Sequence, residues 1–320
     1  MALKEEILPV SRANELDIRH PEQAWLIESM WAYGAVGIIG GPPKCCKSWL
    51  GLDMALSVAS ATPCLGHFPV KRPGPALIFM AEDALPAVRT RIEALCNHRR
   101  IPMEGLDLFV ITAPSLRLDL KEDQQRLKAT LAAFKPLLLL LDPLVRLHRL
   151  DENSATDISS LLGFVREMQR SYGTAIVLVH HLSKRQYAQP GQALRGSSDL
   201  HAFGDSNAYL KRLKDHIILT LEHRAAKPPD PIPLELLSRP DGSAAHLEIA
   251  STADVTTNGS LNVRILDLLH RADKPMTRTY IRKHLKCNNQ RLGETLQELD
   301  RQDFILRTSS GWVNNKTHAA

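Results

Sequence analysis

The stretch "AVGIIGGPPKCCKSWLGLDMAL", residues 35–56, sets a short apolar run, a Gly/Pro loop and a helical run of apolar residues end to end. Its middle follows the spacing G-x-x-x-x-G-K-[ST] with one letter changed. Gly41, Lys47 and Ser48 stand where the pattern wants them, and Cys46 occupies the place of the second glycine. Strand, loop and helix in this order aim backbone N–H groups and the positive end of a helix dipole at one point, which suits phosphate. On this reading Gly41, Pro42, Pro43, Lys44, Cys45, Cys46, Lys47, Ser48 and Trp49 form a cradle for the phosphates of ATP. Lys47 reaches the β- and γ-phosphates, and the Ser48 hydroxyl takes a place on Mg²⁺. A side chain at Cys46 costs about 1 kcal/mol if its φ stays negative and more if φ must be positive. The substitution weakens the grip without abolishing it.

Working outward, further apolar runs alternate with helical patterns. "PALIFM" (75–80), "LDLFVIT" (106–112), "PLLLLLD" (136–142) and "TAIVLVHH" (174–181) join "AVGII" (35–39) as strands without polar alternation, which marks strands buried on both faces. The expected fold class is therefore α/β: a mainly parallel sheet flanked by helices. From residue 216 the rhythm changes. "HIILTLEHR", "IPLELLS" and "AAHLEIA" follow one another across short turns, as antiparallel strands do.

Acidic residues at strand ends complete the chemistry. Asp142 closes "PLLLLLD" and is expected to hold Mg²⁺ through water. Pro143 follows it, so the acid that activates the attacking water must come from elsewhere. Glu82, in "PALIFMAED", is the expected base, provided its strand lies beside the phosphate-loop strand. Asp83 is the rival.

Bulk properties exclude several classes. With 44% hydrophobic and 23% charged residues in 320, neither a disordered nor a membrane chain is indicated. The longest apolar run is too short to cross a bilayer, and "MALKEEILPVSR" has no signal-peptide pattern. Five cysteines without C-x-x-C spacing argue against a disulfide framework and a zinc site, and point to a reducing cytoplasm.

The net charge of +5 resides in the tail from Gly259 onward. "STADVTTNGS" (251–260) is small and polar and separates a domain over 1–250 from one over 261–320. In the second, "LNVRILDLLHRA", "TRTYIRKHLK" and "NNQRLGETLQELDRQ" read as three helices, and "FILRTSSGWVN" as a hairpin. That is the pattern of a winged helix-turn-helix. Leu292, Leu296 and Leu299 form the buried stripe of the third helix. Arg278, Arg282 and Lys283 on the second helix, with Arg291 on the third, suit a DNA backbone; the alternative is a wing that docks a protein partner.

Together, "GPPKCCKSWLGLDMALSVASATPCLGHFPV", "AED", "LLLLLDPLVR", "VLVHH" and "RGSSDL" come in the order of the RecA/DnaB-like P-loop ATPases. The chain most closely resembles the RepA family of hexameric helicases from plasmids and mobile elements, from about Trp25 to Arg224, departing at Cys46 and in the added tail. The resemblance implies a homo-oligomeric ring, in all expectation a hexamer, that hydrolyses ATP with Mg²⁺ while acting on single-stranded DNA. His180 and His181 would be γ-phosphate sensors. Lys184, Arg185, Tyr187 and Arg195 would lie in a pore loop gripping the strand. Arg224 would reach the neighbouring subunit's γ-phosphate, with Arg212 as its substitute. The tail would add duplex DNA or a replication partner. An ATP-gated loading or regulatory protein without unwinding activity is the alternative.

Overall fold

A computed structural model describes residues 10–15, 24–152, 154–181, 198–213, 216–238, 245–250, 261–272, 274–285, 287, 289–301 and 304–315. The expected linker, 251–260, lies outside them. The chain divides into two compact units, Met1–Ile249 and Ala250–Ala320.

The larger unit starts with a small antiparallel pair, β1 (Trp25–Ile27) and β2 (Trp31–Ala32). The alternating part follows: β3 (Val36–Gly41), α1 (Lys47–Ser60), β4 (Ala76–Met80), α2 (Leu85–Arg99), β5 (Leu108–Val110), α3 (Lys121–Phe134), β6 (Leu138–Asp142), α4 (Ala155–Tyr172), β7 (Ala175–His181) and α5 (Ser198–Phe203). Four strands end it: β8 (Ser206–Leu213), β9 (His216–His223), β10 (Ile232–Ser238) and β11 (Ala245–Ile249). Nine of these strands form one sheet in the order β11-β10-β9-β8-β3-β7-β6-β4-β5. From β5 to β8 neighbours run parallel, and from β8 to β11 antiparallel. This is the expected α/β arrangement, a mainly parallel sheet flanked by helices.

Burial on both faces explains the unbroken apolar strands. Ile39, Leu138, Leu140 and Val177 pack into a core with α1 and α2, while Ile38, Leu139, Leu141 and Ile176 pack into another with α3 and α4. Successive side chains point to opposite faces, so each strand needs apolar residues at every position.

Two features differ from expectation. β8 was not anticipated, because "SNAYLKRL" is buried only in its first five residues and runs out into Lys211, Arg212 and Leu213. The strand bearing Glu82 does not neighbour the phosphate-loop strand: β7 and β6 intervene, and β4 pairs with β6.

The smaller unit holds α6 (Leu261–His270), α7 (Arg278–Leu285), α8 (Asn289–Arg301) and the hairpin β12 (Ile305–Thr308) and β13 (Gly311–Asn314). Leu292, Leu296 and Leu299 are buried with Ile265, Leu269 and Ile281 in a core of their own.

Candidate functional site

The loop between β3 and α1 lies at the carboxyl ends of the parallel strands, where open α/β sheets bind ligands. The strand ends with Gly41 because nothing larger fits: a Cβ there would meet the Leu210 carbonyl oxygen at 2.7 Å and collide with Cys45 Sγ. Cys46 has φ 66 and ψ 25, in the left-handed region, and is the N-cap of α1 with no side-chain hydrogen bond to the helix. The motif's glycine is thus replaced where positive φ is required. Left-handed backbone costs a non-glycine residue roughly 1–2 kcal/mol. Lys44 shares this conformation at φ 61.

Lys47 is nearly fully buried, and its ammonium folds back over the loop, donating to the carbonyl oxygens of Gly41 at 3.0 Å and Pro42 at 2.8 Å. Burial lowers its pKa, opposed by nearby Cys45 and Asp142. Asp142 ends β6 and is 5% exposed, and burial raises its pKa to about 6, while the Ser48 hydroxyl pulls it down. Its Oδ2 is buried without a hydrogen-bond partner. A buried carboxylate oxygen lacking a donor, beside a serine hydroxyl and a lysine, fits a hard cation with phosphate oxygens. An uncapped helix N-terminus fits the phosphates themselves. Lys47, Ser48 and Asp142 are therefore the residues that would hold Mg²⁺ and the nucleotide phosphates.

These residues line a cleft of about 280 Å³ together with Lys44, Cys45, Cys46, Trp49, Glu82, Asp83, Arg91 and His181. Glu82 enters by a route other than the one expected. Parallel register sets Met80 opposite Asp142, and the Ala81 amide donates to the Asp142 carbonyl at 2.7 Å, so the chain after β4 stays beside the end of β6. Glu82 is half-exposed and paired with Arg146 at 2.7 Å. Asp83 is clamped by both terminal nitrogens of Arg91, at 2.6 and 3.0 Å. The two acids are thus already differentiated: Asp83 is fully engaged in a fork, and Glu82 is held by one contact in solvent.

His180 and His181 separate by strand alternation. His181 lines the cleft, whereas His180 is 1% exposed with Nδ1 3.8 Å from Glu152 Oε1, which also lies 3.9 Å from His148 Nε2. Reading from sequence missed Arg91, Arg146, His148 and Glu152. Arg146 stands in the "LLLLLDPLVR" run, within sight of Asp142; the other three carry no local signal.

Arg224 follows β9 at the end of the sheet opposite the phosphate loop, since β9 runs antiparallel to β8, which parallels β3. It bonds Asp205 at 3.2 Å and the Ala202 carbonyl at 2.8 Å, and Asp205 also receives Arg166. Arg212, at the other end of the sheet, donates to the Lys44 carbonyl at 3.3 Å in the loop of its own chain. Lys184, Arg185, Tyr187 and Arg195 lie outside the described residues. On α7, Arg282 and Lys283 are exposed, and so is Arg278, whose guanidinium rests against Gly293 of α8. Arg291 falls within α8, its side chain outside the described set.

Restoring the motif through Cys46→Gly should leave turnover intact and tighten nucleotide binding severalfold at most, by relieving roughly 1 kcal/mol of left-handed backbone. Fluorescent-nucleotide titration checks it, and weaker binding in the glycine variant would contradict the strain assignment.

A Gly/Pro loop feeding a helix, with a lysine, a serine and a strand-end aspartate converging on it, defines a P-loop ATPase site. The chain belongs to the AAA domain family, whose model matches residues 3–187, more than half of its length. Among solved structures it is similar to one described as the ATPase domain of G40P, at 13% identity over 69% of this chain and 87% of that one, with a TM-score of 0.49. It is also similar to the RadB recombinase, at 15% identity over 68% and 92%, with a TM-score of 0.47. No helix among the described residues is long and apolar enough to cross a membrane.

Proposed function

We propose that this chain is an ATP-hydrolysing, ring-forming motor on single-stranded DNA, a helicase of the RepA kind serving a plasmid, phage or mobile element. The observation that carries the ATPase part is the convergence of Lys47, Ser48, Glu82, Asp142 and His181 on one cleft. Mg²⁺, which Ser48 and Asp142 would hold, would neutralise phosphate charge. Lys47 moves from the Gly41 and Pro42 carbonyls to phosphate, keeping the same loop position. Glu82 orients the attacking water and accepts its proton once Arg146 releases it. His181 reports the γ-phosphate to the segment after β7.

The ring and DNA parts rest on residue chemistry. Arg224 lies at the end of the sheet away from its own phosphate loop, so it can serve as a transition-state cation only for a neighbouring subunit. Arg212 lies beside the phosphate loop of its own chain, which suits it to act in cis. The tail's helices and hairpin are read as a winged helix whose exposed Arg282 and Lys283 meet a phosphate backbone.

A second reading, an ATP-gated loader or regulator that does not unwind, is favoured by the Glu82–Arg146 pair, which must open before Glu82 can act as a base, and by Cys46, whose left-handed backbone weakens the grip on nucleotide. ATP turnover with and without single-stranded DNA, across protein concentration, separates the two. A motor gains activity with DNA and with concentration as rings assemble. Mixing Arg224→Ala with Lys47→Ala subunits should restore some activity, because certain interfaces then pair an intact loop with an intact arginine. Concentration-independent turnover without complementation would leave a monomeric ATPase.

A further inference from the structure

Away from the nucleotide cleft, three side chains with metal-binding chemistry meet on the edge of the sheet. His98 lies in the last turn of α2, and His246 and Glu248 are two residues apart on the edge strand β11, hence on one face of it. His98 Nε2 is 3.3 Å from Glu248 Oε1, and His246 Nε2 is 2.9 Å from the same oxygen. One ligand atom from each residue lies within 4.8 Å of the others.

We propose that His98, His246 and Glu248 form a site for a divalent transition metal of the Zn²⁺ class, tying the end of α2 to strand β11. Tetrahedral zinc with bonds of about 2.0–2.2 Å separates its ligand atoms by about 3.3–3.5 Å. The His98–Glu248 separation already has that value, the His246–Glu248 one needs to open by a few tenths of an ångström, and the two imidazole ligand atoms lie within 4.8 Å of each other. Two imidazoles and one carboxylate make a donor set that favours zinc over Mg²⁺ or Ca²⁺, which take oxygen. The rings now stack at 3.5 Å with planes 17° apart, so binding opens the stack until each nitrogen lone pair points at the ion. His98 is exposed on one side and has room to turn.

The surroundings accept the charge. Arg99, the cation that bears on His98, is neutralised by Asp53 at 2.6 Å. His98 and Glu248 also line a groove of about 530 Å³ that includes His67 and leaves space for water as a fourth ligand. The site is independent of the nucleotide cleft.

The test titrates the full, reduced, nucleotide-free chain with Co²⁺ and then Zn²⁺. One equivalent of Co²⁺ should give the visible absorption of a low-coordinate nitrogen and oxygen site, and Zn²⁺ should bleach it. His98→Gln and His246→Gln should each weaken binding by at least about 10–100-fold, since even outer-shell partners of a metal contribute that much. Zn²⁺ at about 100 times its Kd should raise the Tm of the wild type by about 5–10 °C and leave the variants unmoved. No visible band in the wild type would overturn the proposal. So would a band that survives in both variants, or thiolate charge-transfer absorption that places the ion on cysteine.

Discussion

Lys47→Ala is expected to remove ATP hydrolysis, by at least the order of 10²–10³-fold that follows loss of one preorganised charge-stabilising donor. No other lysine of the described cleft substitutes for it: Lys44 also lines the cleft but sits on the solvent side of the loop and is exposed, whereas Lys47 is buried at its centre. The same change strips the Gly41 and Pro42 carbonyls of their donor, so it also costs stability, about 1–3 kcal/mol for a buried group left unsatisfied. Thermal melting beside steady-state phosphate release separates the two effects. A variant that melts lower yet hydrolyses at the wild-type rate would move the chemistry out of this cleft.

Glu82→Gln should bind ATP and hydrolyse it roughly 10²–10⁴-fold more slowly, the range for a positioned general base. Asp83→Asn should be far milder, because each oxygen of Asp83 already accepts an Arg91 N–H and the fork holds the carboxylate in place. Single-turnover hydrolysis measured next to nucleotide affinity distinguishes loss of the base from loss of binding. The opposite ranking would assign the base to Asp83 and make Glu82 a surface partner of Arg146.

Much of this arrangement was legible because its strands are buried twice over. Five apolar runs without alternation announced the parallel sheet, and Gly41, Lys47 and Ser48 announced the loop between two of its elements. Strand order was not legible. Glu82 was expected through a strand beside β3, yet reaches the cleft through a strand beside β6, because local sequence records where a strand ends and not which strand it pairs with. The difference between His180 and His181 depends on which face of β7 each side chain takes, a matter of register. β8 escaped notice because its last three residues, Lys211, Arg212 and Leu213, are exposed and two of them are charged. The cluster on the sheet edge is the extreme case: His98 and the His246–Glu248 pair are remote in sequence and meet only through the packing of α2 on β11.

The double engagement of Asp205 bears on how a subunit behaves before it has neighbours. Its carboxylate receives Arg166 and Arg224 at once, and Arg224 is the more exposed of the two. On the ring reading, a lone subunit parks its outgoing arginine against a carboxylate that never depends on it. When Arg224 leaves for an adjoining phosphate, Arg166 stays behind, and no bare charge is left at the foot of the sheet. With Arg224 more than half exposed, losing its ion pair costs on the order of 1 kcal/mol, and its hydrogen bond to the Ala202 carbonyl is given up with it. On that reading the departure would be cheap and reversible, as a cation lent and reclaimed on every catalytic cycle would need to be.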